Sequence, residues 1–332
     1  MRKIFHQIIR FFMLMGFAFL VAFSSGSAKT WLVGPDFQLK SPSQAIKLAK
    51  DGDIIKIMAG LYENDYARIT QNDIMLIGVN GFAHLKSSGP VPGGKAIWTI
   101  DGKNVHIQNI EFSGAKVPDK NGAGVRLQNG SLTIENCYFH GNEMGLMTSG
   151  NSDINLYIYN SEFSNNRQDY AVTGRLSHNI YVGNISRFVM ENSISRGAQY
   201  GHTIKSRAKN TLLRGNRIFD EGEISASYLI DLPNGGRAVI ENNYLYKNKG
   251  AQNNALISYG TEGMKYKENK LSIRLNTAIN EAGKAVLLRN RSNSEVILVG
   301  NTLTRISSDQ GSSLGQKNLW EKIKQMFRNQ KN

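Results

Sequence analysis

The chain has a single cysteine, Cys137, among its 332 residues, so no intrachain disulfide can form in any redox compartment. Stability has to come from a buried core, for which a chain of roughly 300 residues is long enough. Negative charge is scarce: 26 Asp and Glu stand against 40 Lys and Arg, a formal net charge of +14. No His/Cys/Asp spacing of the kind that holds a metal stands out. A hydrolase would want a carboxylate pair, and Asp231 has only Asp220 or Glu221, in the preceding turn, to pair with. The apolar run Phe11 to Phe23 has thirteen residues, short of the about 20 that a membrane-spanning helix requires.

That run has another use. Arg2, Lys3 and Arg10 stand before it and Gly26-Ser27-Ala28 close it, the three-part pattern of a secretory signal over residues 1–28. No cysteine follows the run to take a lipid, so the expectation is export to the periplasm or the extracellular space. Losing three positive and no negative charges brings +14 to +11. Residues 315–332 hold five Lys/Arg and one Glu, which leaves +7 on the body. A cationic exported protein suits an anionic partner, and an anionic polysaccharide is the one expected here, with no nucleic acid and a monomeric state. Basicity alone also fits a protein that is merely soluble.

Past the signal, Trp31 to Val33 reads as a short strand. Ser41-Pro42-Ser43-Gln44 then reads as a helix start, with Ser41 as N-cap, Pro42 at the first position and Gln44 reaching back. The helix is expected over Ala45 to Lys50, with Ile46 and Ala49 inward and a stop at Asp51-Gly52. A strand over Ile54 to Met58 follows, closed by Gly60-Leu61-Tyr62. From there short apolar runs end repeatedly in an asparagine: Asn109, Asn136, Asn160, Asn192, Asn216, Asn242, Asn269 and Asn301. The steps are 27, 24, 32, 24, 26, 27 and 32 residues, a near-constant period built of strands without long helices. Such a period predicts a solenoid of parallel strands whose coils must stack, because one coil cannot bury its own apolar face. Asparagine tolerates the left-handed corner and its amide can bond to the coil above and below, so all eight read as ladder residues. Cys137 follows Asn136 as Ser161 and Ser193 follow their asparagines, which makes it a small filler and not a nucleophile. The two 32-residue steps, Asn160 to Asn192 and Asn269 to Asn301, should carry inserted loops on one face, often the binding face.

The helix, Asp-Gly-Asp, strand, Gly-x-Tyr start and the asparagine ladder together resemble the pectate-lyase-like right-handed β-helices, over about residues 30 to 310. The resemblance implies an all-β, right-handed parallel β-helix over residues 29–314 with an N-terminal capping helix. Its members include polysaccharide lyases, glycoside hydrolases, uronate epimerases, adhesins and phage tailspikes. The aspartate clusters of its hydrolases are missing here, as are the calcium-binding aspartates and Arg-x-Pro-x-x-Arg signature of typical pectate lyases. No cofactor is therefore expected; calcium is allowed by the family but not indicated by these residues. Residues 315–332 read as a basic amphipathic helix, with Leu319, Trp320, Ile323, Met326 and Phe327 on one side. Capping the open solenoid end is the favoured role, and peripheral contact with an anionic membrane surface the alternative.

The stretch Gln199 to Arg207 concentrates the chemistry. Strand alternation places Thr203, Lys205 and Arg207 on one face, two cations side by side that call for an anion. Aligning the strand after each corner loop, apolar residue inward, gives an outward column Arg126, Met147, Tyr181, Lys205, Asp231, Ser258. β-Elimination from a uronate needs a cation for the carboxylate, a base for the C5 proton and an acid for the leaving oxygen. Arg207 suits the first, Lys205, depressed by the neighbouring guanidinium, the second, and His202 or Tyr181 the third. His178, Asn179, Tyr200, Tyr228, Asp231 and Arg126 are the expected substrate contacts, with Tyr170, Tyr200 and Tyr228 as an aromatic shelf. A lysine–arginine pair also resembles that of the chondroitinase B-like and alginate lyase branch, though here the two sit two residues apart on one strand. Lys205 and Asp231 also read as a plain cross-strand salt bridge, and His178 as a loop cap. A non-catalytic polysaccharide-binding or cell-surface protein is the rival function, with a C5 epimerase or a glycoside hydrolase third.

Overall fold

A computed structural model describes residues 27–307 apart from 223–225 and 252. Most of the expected signal segment and all of the expected helix over 315–332 lie outside these residues. Among those described, no helix is long and apolar enough to cross a membrane.

Apolar residues at every second position bury one side of each short strand, and the other side meets solvent or loops. The result is a parallel β-solenoid of about ten turns. A typical coil contributes three strands, as in Ser131–Glu135, Tyr138–His140 and Met144–Thr148. The third strands of successive coils form a nine-stranded parallel sheet from Ala67–Ile69 to Val286–Asn290. The first and second strands form the other two walls. Near the N-terminal end these merge in the long strands Ile54–Glu63 and Met75–Lys86, each of which bends through a glycine and serves both walls. Strand Ile54–Glu63 thus continues beyond the expected end at Met58, with a bulge between Met58 and Gly60.

At the N-terminal end, helix Pro42–Leu48 lays Ala45 and Ile46 against the first coils. Gln44 Oε1 accepts from Ser41 N–H at 3.3 Å and from Lys40 N–H at 2.8 Å, which holds the helix start as expected. The helix begins at Pro42 and ends two residues earlier than expected. Asp53 causes the early end: its Oδ2 takes the Lys50 N–H at 2.9 Å and the Trp31 indole N–H at 2.8 Å, drawing the chain into a turn.

Inside, Trp98 meets Phe112 edge to face at 5.2 Å, and Phe112, Phe139 and Phe163 stack with centroid separations of 5.0 and 4.5 Å. All four are fully buried. Cys137 is buried beside them, its thiol pushed up to about 12 by burial, and its N–H donates to Ser161 Oγ at 3.0 Å. It is a filler, as expected.

The corner asparagines resolve into two columns rather than one. Asn109, Asn136, Asn160, Asn192 and Asn242 hold left-handed backbone, with φ between 47° and 56°, and in other coils Gly215, Leu275 and Gly300 take that place. The buried amide ladder stands one residue later. Asn216 Nδ2 donates to Asn243 Oδ1 at 3.0 Å, Asn243 to Asn276 at 3.0 Å, and Asn276 to Asn301 at 2.9 Å. Asn216 and Asn301 are therefore rungs of this ladder, whereas Asn109, Asn136, Asn160, Asn192 and Asn242 are turn residues. Among these, Asn136 Nδ2 still donates to Asn109 Oδ1 at 2.7 Å, as expected of a corner ladder. Asn269 belongs to neither column; its Oδ1 accepts from Gly236 N–H at 2.8 Å. Reading it as a corner misplaced the second insertion. The extra residues lie at 260–268, between strands Ala255–Tyr259 and Lys270–Arg274, and not after Asn269.

The two columns should respond differently to substitution. Asn243→Ala strands buried partners above and below and should cost on the order of 3 kcal/mol in urea unfolding. Asn242→Gly, at a left-handed φ of 55°, should change stability by less than about 1 kcal/mol.

Candidate functional site

The expected outward column is present on the nine-stranded wall. Arg126 pairs with Met147, Met147 with Tyr181, Tyr181 with Lys205, Lys205 with Asp231 and Asp231 with Ser258. The same column extends to Arg68 and Thr99 at one end and Arg289 at the other. Thr203 does not join it. The strand proper is Ile204–Ser206, and Thr203, one residue before it, turns fully inward, so alternation starts too late to put it with Lys205.

Lys205 and Arg207 are not bare cations. Their anion comes from the chain itself: Glu262 Oε1 lies 2.7 Å from Lys205 Nζ, and Glu262 Oε2 lies 2.6 Å from Arg207 Nη1. Glu262 sits in the 260–268 insertion, which is tied down by Glu262 N–H to Pro233 O at 2.9 Å and Lys265 N–H to Asn234 O at 3.0 Å. Although burial pushes its carboxyl up, hydrogen bonds from Arg207 and Lys205 hold it down at about 2. The expectation that the guanidinium acts directly on Lys205 gives way to this bridge. The Glu262 side chain remains 43% exposed, against 11% for Lys205 and 17% for Arg207. The anion seat therefore opens outward. Arg207 also donates from Nε to the Tyr181 hydroxyl at 3.1 Å and from Nη1 to Asn234 Oδ1 at 2.6 Å.

Below Lys205, Asp231 is almost fully buried, 3.3 Å from Lys205 Nζ and 3.2 Å from His202 Nε2, and takes the Ser258 hydroxyl at 2.7 Å. The salt-bridge reading of Lys205 and Asp231 thus holds, and Asp231 supports the site from beneath instead of contacting solvent. His202 is buried with both ring nitrogens engaged, since Nδ1 accepts the Tyr228 N–H at 3.2 Å while Nε2 faces Asp231. Burial, then the charges of Lys205 and Lys247, lowers the imidazole to about 3. A neutral ring with Nε2–H directed at Asp231 fits both contacts. His202 is thereby spent, and the expected role of protonating a leaving group does not suit it.

His178 repeats the pattern one coil earlier, its Nδ1 accepting the His202 N–H at 2.8 Å. Burial and neighbouring cations push it well below its ordinary value. Tyr181, His178, His202 and Tyr228 form a continuous ring stack, with centroids 5.5, 5.1 and 5.3 Å apart. Expected to cap the loop entering its own strand, His178 caps the loop of the following coil instead. Asn179, expected at the substrate, is fully buried: it accepts from Asn166 Nδ2 at 3.1 Å and donates to Arg196 O at 2.8 Å, within a second amide ladder. Tyr228 is also buried and receives Arg289 Nη1 on its hydroxyl at 3.0 Å, so it leaves the expected shelf. Tyr170 and Tyr200 do stack, at 5.2 Å, beside a depression of about 380 Å³ lined by Arg167, Gln168 and Gln199. Tyr200 adopts a left-handed φ of 61° there. Arg126 lies two strands from Tyr181 behind Met147, with Nη1 3.3 Å from the Met147 sulfur. Further along the same wall a depression of about 620 Å³ is lined by Arg68, Lys95, Thr99 and Gln128.

The chain matches no protein-family model and no curated protein. Among solved structures it is similar to an alginate lyase from Paenibacillus sp. str. FPU-7, at 16% identity and a TM-score of 0.60, over 85% of this chain and 98% of that one. A pectate lyase aligns at 14% identity and a TM-score of 0.59, over 86% of this chain and 82% of that one. The fold is the pectate-lyase-like right-handed β-helix. Within this β-helix, Glu262 is the site residue that sequence reasoning missed. The available signal was the length between strands Ala255–Tyr259 and Lys270–Arg274, which the misread Asn269 concealed.

The state of His202 gives a pH prediction. Its folded value, about 3, lies below the ordinary 6.5, so between the two the native state binds fewer protons than the unfolded chain. The stability it contributes is full above about 6.5 and is lost as pH falls toward 3, with a slope on the order of 1 kcal/mol per pH unit. His202→Gln, which can still accept and donate, should flatten that slope in denaturation series from pH 4 to 7. Imidazole nitrogen shifts should show His202 neutral at pH 5; a ring titrating near 6.5 would contradict the buried arrangement.

Proposed function

We propose that this chain is an exported, carbohydrate-active β-helix protein that acts on an anionic, uronate-containing polysaccharide by β-elimination. The carboxylate of Glu262 carries this assignment. It occupies a solvent-facing seat formed by Lys205 Nζ and Arg207 Nη1, next to the Tyr181 hydroxyl. Its oxygens stand in for those of a sugar carboxylate, and rotation of the Glu262 side chain would free the seat while the loop stays anchored. The alginate and pectate lyases of similar fold suggest the substrate class, and the cationic composition agrees with it. Export rests on the signal-like residues 1–28.

In the proposed reaction Arg207 holds the uronate carboxylate and makes the C5 proton more acidic. Lys205, once its proton has passed to Asp231, whose carboxyl burial pushes up, takes the C5 proton. The electron pair forms the C4–C5 double bond as the C4–O bond breaks. Tyr181 then gives its hydroxyl proton to the departing oxygen; its oxygen already accepts from Arg207, which leaves that proton free to donate. Asp231 and His202 position Lys205 from below. Tyr170 and Tyr200 offer an aromatic surface for sugar rings. Binding without catalysis is the second reading, and the enclosure of Lys205 between two carboxylates favours it.

Incubation with alginate, pectate and glycosaminoglycans, read by absorbance of the unsaturated product, decides between them. Lys205→Ala and Arg207→Ala should each lower the rate by roughly 10²-fold or more while the β-rich circular dichroism persists. Glu262→Gln should lower KM several-fold by weakening the internal competitor. Salt-sensitive retention on an immobilised polyanion without any absorbance change would establish the binder instead.

A further inference from the structure

On a different wall, the second strands of three successive coils bring together residues far apart in sequence. His84 on strand Met75–Lys86 pairs in register with Glu111 on strand Ile110–Ser113. His140 lies on the next coil, on strand Tyr138–His140, two residues beyond the partner of Glu111. His140 Nε2 is 2.8 Å and His84 Nε2 3.4 Å from Glu111 Oε1, and the candidate ligand atoms all lie within 4.8 Å of one another. The side chains are 31%, 24% and 21% exposed for His140, His84 and Glu111, so the group is partly sheltered yet open to small ions.

We propose that His84, Glu111 and His140 form a binding site for a divalent transition metal of the zinc type. The donor set, two imidazoles and one carboxylate, suits zinc and its neighbours and not calcium or magnesium, which prefer oxygen alone. Bonds of about 2.0–2.1 Å in a tetrahedron put ligand atoms roughly 3.4 Å apart, which the 3.4 Å separation already meets and the 2.8 Å one reaches by a small opening. The 2.8 Å contact is a hydrogen bond whose proton the metal replaces, so the opening exchanges one bond for another. Ser113 Oγ, 2.7 Å from His84 Nε2, holds the one bond that this ring nitrogen can give, so a metal takes its place and Ser113 is released. The nearby Lys86 is paired with Glu63 at 3.2 Å, so its charge is balanced away from the metal. Rigidity supports the arrangement as well: the His140 ring stacks on Tyr138 at 4.4 Å. A metal here clips three coils together. The site was invisible in the sequence because its ligands are spaced by the solenoid period and not by a local motif.

Calorimetric titration of the tag-free, full-length protein with zinc chloride tests this directly. The expected result is one saturable site per chain and a zinc-dependent rise in thermal midpoint. His84→Ala, Glu111→Gln and His140→Ala should each weaken binding tenfold or more, and His106→Ala, which removes a two-residue His–Glu contact elsewhere, should not. Cobalt(II) should give the visible absorption of a four-coordinate site in the parent protein and lose it in Glu111→Gln, a variant that keeps the shape of the side chain. Absence of saturable binding, or binding that survives the substitutions at these three positions, overturns the proposal.

Discussion

Parallel, in-register stacking of coils governs this molecule. Each residue meets its counterpart about 4.8 Å above and below, so every column of side chains must be compatible with itself. Apolar columns meet this demand by simple contact, as the stacked phenyl rings of Phe112, Phe139 and Phe163 do. Buried amides meet it by donating in one direction and accepting from the other, as along Asn216, Asn243, Asn276 and Asn301. Charged columns face the hardest version, and here they are resolved by alternating sign or by a residue brought in from a loop.

The candidate site is an instance of the last case. Lys205 stands over Asp231 in the column, and Glu262 reaches in from an insertion to complete the charge balance of Lys205 and Arg207. Beneath it, His178 and His202 each accept the backbone N–H of the following coil, which uses ring nitrogens to build the wall. The wall therefore divides into a buried layer that fixes geometry and an outer layer, Tyr181, Arg207 and Glu262, that solvent can reach.

The solenoid, its capping helix and the outward column were legible in the sequence because each depends on a periodic pattern of apolar residues. Tyr181, Lys205 and Asp231 fall on adjacent strands as the alignment required. The corners were less legible. Glycine and asparagine both satisfy a left-handed turn, so where Gly215 or Gly300 takes the corner, the next asparagine is a buried rung that looks like a corner. Which polar residues are sealed was also hidden, since Asn179 and His202 face the interior through contacts with other coils. Glu262 and the His84, Glu111, His140 group depend wholly on contacts across coils, and no local pattern announces them.

The interior changes character at the coil that holds His202. Before it, the phenyl stack and the rungs Asn142, Asn166 and Asn179 line the corner between second and third strands. There Ser195 takes the register position that follows Phe163, and the polar rungs pass to the opposite corner, from Asn216 onward. The solenoid is thus spliced from two halves with different internal grammars. Whole coils could be gained or lost within either half during evolution, because each new rung would meet its own kind. Across the splice such an exchange would set the Asn216 column on the Cys137 and Ser161 column and leave the phenyl stack over aliphatic side chains such as Ile218. The splice therefore keeps its place beside the cationic wall while the turns on either side can vary.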